Sequence, residues 1–172
     1  MRSLFIVFVN IILLRRGPEL VPTQPWFVGA VAIINFMASF VVSNHVGAAL
    51  TTAALATSLL VTMATLSVVV FAALYLRGFD RRFPATITAM FGCDLIFTVM
   101  VGVLMLLVGG VATSMGTTLL ALIGLWSIAV NGFILHRAME VSVAIGILLA
   151  FATAMFGFML SSLAMGPITA PQ

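Results

Sequence analysis

The sequence predicts an all-α integral membrane protein with five transmembrane helices and one N-terminal interfacial helix. Three observations support that fold class. First, 63% of the 172 residues are hydrophobic and 6% are charged, whereas a soluble domain carries roughly 25% charged residues. Second, Pro, Gly and charged residues divide the chain into apolar runs of span length, and about 20 such residues cross roughly 30 Å of hydrocarbon. Third, the seven basic residues are all Arg, and a path with five crossings puts every one of them on a single side of the membrane. An excess of that kind marks the cytoplasmic side.

The stretch from Leu4 to Leu14 is apolar apart from Asn10, and as a helix it would cover only about 16 Å, too little to span. It ends in Arg15-Arg16 and Pro18 with no small-residue cleavage site, which argues against a signal peptide. It therefore reads as a helix lying in the interface, with Arg15 and Arg16 reaching lipid phosphates. Residues 1–25 form this helix and a Pro-containing linker, 26–166 a single transmembrane domain, and 167–172 a C-terminal tail.

The first span runs from Trp26 to about Val42, opened by Pro22 and Pro25, with Trp26 at headgroup level. The second runs from about Ala49 to Leu76 and stops at Arg77; its length implies a tilt or a turn reaching into the headgroups. The third starts near Phe83 and ends around Gly109–Gly110, and the fourth follows the small-residue loop 112–116. The 48 residues from Thr117 to Ala164 are too many for one crossing, and their only charged interruption is His136-Arg137-Ala138-Met139-Glu140. A tight hairpin placed there divides the fourth span from the fifth.

Composition also narrows the chemistry. The pI near 10.6 comes from a handful of Arg residues with no Lys, not from a phosphate-tracking surface, so no nucleic-acid partner is expected. The single cysteine, Cys93, allows neither an intrachain disulfide nor a thiol cluster. His45 and His136 fall on opposite sides of the predicted topology, which argues against a shared haem, and no cofactor is expected. No Ser/His/Asp set shares one side, and no phosphate loop or metal-ligand cluster is visible, so the chain is not expected to be an enzyme.

Asp94 is the residue with the most chemical content. It lies about 16 Å inside the third span by helix rise, where a carboxylate is expensive and must face the bundle and find partners. Counting depth from the same membrane face puts Asn35, Thr65 and Asn131 in a similar layer, as its natural hydrogen-bond partners. Two roles are open: a protonatable or ligand-anchoring site, or a neutral Asp serving as interhelical glue.

The remaining arginines, Arg77, Arg81, Arg82 and Arg137, join Arg15 and Arg16 as contacts for anionic headgroups or a cytoplasmic partner, at about 1 kcal/mol each near the surface. Arg137 and Glu140 lie three apart and are placed to pair on a helix. In the fifth span Ser142, Gly146, Ala150 and Ala154 recur every four residues and predict a smooth strip for close helix packing.

Three segments carry a family resemblance. They are the apolar N-terminal helix leading into Arg15-Arg16-Gly17-Pro18-Glu19-Leu20-Val21-Pro22, the run from Arg82-Phe83-Pro84-Ala85-Thr86 through Phe91-Gly92-Cys93-Asp94-Leu95, and Trp126-Ser127 followed by Asn131-Gly132-Phe133 through Glu140. Together they resemble the Yip (Ypt-interacting protein) domain family, in particular its small bacterial members. The resemblance implies five spans, a cytoplasmic N-terminus and a C-terminus on the far side. Eukaryotic members act in membrane traffic through a cytosolic N-terminal region, which has no counterpart before Trp26.

The leading functional expectation is a non-catalytic accessory or assembly subunit of the bacterial inner membrane, packing against lipids, other membrane proteins or a second copy. The alternative is a small transporter or a proton- or quinone-coupled component built on Asp94. No internal repeat of the kind common in transporters is evident.

Overall fold

A computed structural model describes residues 4–46 and 51–165. Among them there is no β-strand. Six helices occur in order: α1 (Leu4–Ile12), α2 (Pro25–Val46), α3 (Thr52–Leu76), α4 (Phe83–Val108), α5 (Ser114–Met139) and α6 (Val143–Met165), with short 3-10 turns at Pro18–Leu20 and Asp80–Arg82. Five of these segments are long and apolar enough to cross a membrane, so the protein is a multi-pass membrane protein. The expected start of the second span at Ala49, the tail 167–172 and Arg2 lie outside the described residues.

Local chemistry sets the helix ends. Pro25 opens α2 where its missing N–H is harmless. Thr51 caps α3 by accepting from the Ala54 N–H at 3.3 Å, and Thr113 caps α5 by accepting from Gly116 N–H at 3.0 Å. The fourth span therefore begins at Ser114 and not after Gly116. Gly109, at φ 81°, ends α4 in the left-handed region, which glycine adopts without a Cβ penalty.

The hairpin between the last two spans also sits later than its charges suggest. His136 to Met139 remain helical, and the break falls at Glu140–Ser142, where Glu140 takes φ 55°. His136 secures the turn: its carbonyl accepts from the Glu140 and Val141 N–H groups, and its Nδ1 is hydrogen-bonded to the Val141 carbonyl.

The five long helices close into a ring in which α2 touches α3 and α4, α4 touches α5, α5 touches α6, and α6 returns to α3. Consecutive spans run antiparallel. The ends bearing Arg77, Arg81, Arg82 and Arg137 gather at one face, called here the arginine end. His45 closes α2 at the opposite end, among Val103 and Leu106 of α4, so the two histidines are separated by the length of the bundle.

The first half of α4 is the central post, with every residue from Thr86 to Cys93 buried. One reason is α1, which does more than lie across the headgroups. Ile11 is fully buried and Phe8 nearly so, within a cluster containing Met90, Cys93, Ile134 and Leu135. A Cβ on Gly92 would collide with the Phe8 ring, so the missing side chain is what admits the aromatic edge. Because Gly92 is about 14 Å along α4, α1 packs against the flank of the bundle and not only against its end, while Arg15 and Arg16 stay exposed.

The predicted strip on α6 is half right. Gly146 and Ala150 are buried, whereas Ser142 and Ala154 are exposed; the buried line continues through Thr153, Gly157 and Ser161. A strict four-residue repeat drifts around a helix of 3.6 residues per turn, so a contact line must alternate steps of four and three. Ser142 acts instead at the helix start, its Oγ accepting from Ile145 N–H at 3.3 Å.

Candidate functional site: a polar layer at mid-bundle

Helix α4 has 26 residues, and Asp94 lies within two positions of its midpoint. The first predicted partner is in place: Asn35 Nδ2 donates to Asp94 Oδ2 at 3.0 Å. Asn35 is 1% exposed, ten residues along α2, so the parallel α2 and α4 bring the two polar groups to the same depth.

Thr65 shares that layer and is buried, yet it does not reach Asp94. Its Oγ1 donates to the Val61 carbonyl of its own helix at 2.7 Å, the usual outlet for a threonine hydroxyl inside a helix. Thr153 of α6 does the same toward Leu149, also at 2.7 Å.

Asn131 does come to the site, without a direct bond. It lines a cavity of about 210 Å3 together with Asp94, Ser127, Thr62 and Thr153. A second cavity, of about 340 Å3, lies on the other side of Asp94 and runs along Ser127, Thr98, Ser39 and Ser43. By helix rise Ser43 is about 27 Å along α2, so this second cavity leads from mid-bundle toward the end away from the arginines. Asp94 and Ser127 line both cavities.

Two acceptors in this layer have no partner. Asn35 Oδ1 and Asn131 Oδ1 are buried and make no hydrogen bond. Most buried polar atoms are paired, and an unmade bond costs about 1–3 kcal/mol, so two orphan oxygens beside one carboxyl are unusual.

Ser127, Thr98, Ser39 and Thr153 are members of the layer that the sequence reading passed over. Depth counting would have found Ser127 and Thr153. Ser39 and Thr98 emerge only once α2 and α4 are known to be neighbours, with their hydroxyl oxygens 3.5 Å apart.

The arginines at the other end divide into two groups. Arg77 Nη2 donates to the Met139 carbonyl at 3.4 Å, and Arg82 Nη1 to the Ala138 carbonyl at 3.2 Å. Both therefore satisfy carbonyls at the C-terminus of α5, where the helix dipole favours a cation. Arg82 also pairs with Glu140 at 2.7 Å and lies over the Phe79 ring.

The expected Arg137–Glu140 pair is absent, because Glu140 leaves the helix in the left-handed region and its side chain meets Arg82. Arg137 instead approaches Glu19 at 4.0 Å. Arg81 and Arg137 border an open pocket of about 510 Å3 with His136, Glu19 and Glu140. Arg77 and Arg82 are thus structural caps, while Arg15, Arg16, Arg81 and Arg137 stay available to headgroups.

No protein-family model, no curated protein and no solved structure matches this chain.

Proposed function

We propose that this protein is a non-catalytic component of the bacterial cytoplasmic membrane that works through its interior polar site, as a small transporter or a proton-coupled subunit built on Asp94. The observation that supports this reading is the meeting of two cavities at Asp94, flanked by amide oxygens that the fold leaves unpaired. Interhelical glue alone needs only the Asn35–Asp94 bond. Asp94→Asn keeps a donor and an acceptor at that point, so it tests the two roles separately. The variant is expected to fold and insert like the parent yet fail to complement a deletion strain. Full complementation would leave Asp94 as packing only.

A second reading keeps the chain as an accessory or assembly subunit. It is favoured by the seam between α2 and α3, where Ile33, Phe36, Met37 and Leu60 line an apolar groove of about 510 Å3 open to the lipid side. An acyl chain or a helix of another membrane protein would fill such a groove.

Membership in the Yip domain family and a cytoplasmic N-terminus belong to the same proposal, on the quoted motifs and the one-sided arginines. Cysteine labelling at 111–113 is expected to report the outside, and at 78–80 the inside. A cytoplasmic signal from 111–113 would overturn the orientation.

A further inference from the structure

Resting on the reading of Asp94 as a working site, we propose that the mid-bundle layer binds one dehydrated monovalent cation of the alkali class, held by the Asp94 carboxylate, the amide oxygen of Asn131 and the hydroxyl of Ser127. The donor set and the charge balance both lead there.

The polar groups that line the smaller cavity are the Asp94 carboxyl, the Asn131 amide and the hydroxyls of Ser127, Thr62 and Thr153. Asp94 offers a carboxyl with a single donor to it, from Asn35 Nδ2. Asn35 Oδ1 and Asn131 Oδ1 are buried acceptors with nothing to accept, and Ser127 adds a hydroxyl to both cavities. Asp94, Asn131 and Ser127 all line the smaller cavity, so one cation there meets a carboxylate, an unpaired amide oxygen and a hydroxyl at once, as carbonyl and carboxylate oxygens do wherever they replace an ion's hydration shell.

Charge sets the valence. Among the described residues no Arg, no His and no second acid lines either cavity, so one carboxylate balances one positive charge. A divalent ion would leave a net charge in a low-dielectric interior, at high cost. Ligand type sets the class, because oxygens select hard cations and soft metals need sulfur or imidazole. Of the nearby sulfurs, the Cys93 thiol is buried in the apolar cluster with Phe8 and Ile11, and the two in the lining of the smaller cavity, Met63 and Met90, are weakly ligating thioethers. The route is the larger cavity, along which Thr98, Ser39 and Ser43 offer hydroxyls between mid-bundle and the end away from the arginines.

The test uses the full chain in nanodiscs of neutral lipid, with NaCl, KCl or choline chloride at constant ionic strength. Because a ligand bound only to the folded state raises the melting point by mass action, the parent is expected to gain stability with NaCl over choline chloride in a saturable way. Asp94→Asn should melt at the same temperature in every salt. Asn131→Ala should keep the effect but need about tenfold more Na+ or beyond, the loss expected for one ligand to a charged group.

If neither Na+ nor K+ stabilises the parent beyond choline, while its melting point still depends on pH and that of Asp94→Asn does not, the cation is overturned and the working site stands as a proton site. A parent and an Asp94→Asn variant that respond identically to every cation and to pH overturn both.

Discussion

Gly146→Leu is expected to prevent α6 from docking on α5 and to destabilise the fold by about 3 kcal/mol or more, the upper end of overpacking costs. The reason is the identity of the atoms in the way. A Cβ at Gly146 would strike the carbonyl oxygen of Gly132 and come within 2.9 Å of the His136 backbone nitrogen. The reciprocal position is as tight, since a Cβ on Gly132 would lie 2.6 Å from the Cα of Ile147. A flexible side chain could swing aside, whereas helical main chain on either side of a three-residue turn cannot move without separating the two helices. Unfolding in detergent or bicelles measures the effect. Ala144→Leu on the exposed side of α6 serves as the control, with a change within about 0.5 kcal/mol. A Gly146→Leu protein as stable as the parent would mean that the two glycines do not form the contact.

Asp94→Leu is the second large effect. It leaves Asn35 buried with neither end of its amide bonded, because Oδ1 already lacks a partner and Nδ2 loses its only acceptor. The expected cost is about 1–2 kcal/mol, between the general penalty for an orphaned polar group and the smaller values typical of interhelical bonds in membranes. The pair also makes a double-mutant cycle. Asn35→Leu combined with Asp94→Leu removes both polar groups, so it should cost less than the two single changes added together, by about 0.6–1.7 kcal/mol. Strict additivity would show that the 3.0 Å bond contributes nothing.

The spans were legible in the sequence because the signals that end a membrane helix are chemical and local. Pro25, Arg77 and Gly109 stop or start helices wherever they occur in an apolar chain. The depth of Asp94 and the layer it shares with Asn35, Thr65 and Asn131 were legible for a related reason: helix rise is constant, so counting from one membrane face ranks side chains by depth.

What counting cannot supply is azimuth. Thr65 stands at the right depth and spends its hydroxyl on Val61, and Ser142 and Ala154 share a spacing with Gly146 and Ala150 but not their burial. The arginines show a different limit. All of them read as headgroup contacts, and only the folding of the 77–82 loop back over the end of α5 turns Arg77 and Arg82 into caps.

The ring order of the helices bears on how the chain is made. Helices leave the ribosome in sequence, but apart from α5 on α6 the broadest contacts join α2 to α4 and α3 to α6, across an intervening span in one case and two in the other. After α2 and α3 have been inserted, they touch each other only sparingly, and the Asn35 amide has no acceptor until α4 brings Asp94. Ser58 likewise waits for Ser161, which stands 2.5 Å away at the far end of α6 in the finished bundle. The early intermediates therefore carry polar groups that only later helices can satisfy, and a chain halted after its second crossing keeps Asn35 and Ser58 without the partners they have in the finished bundle.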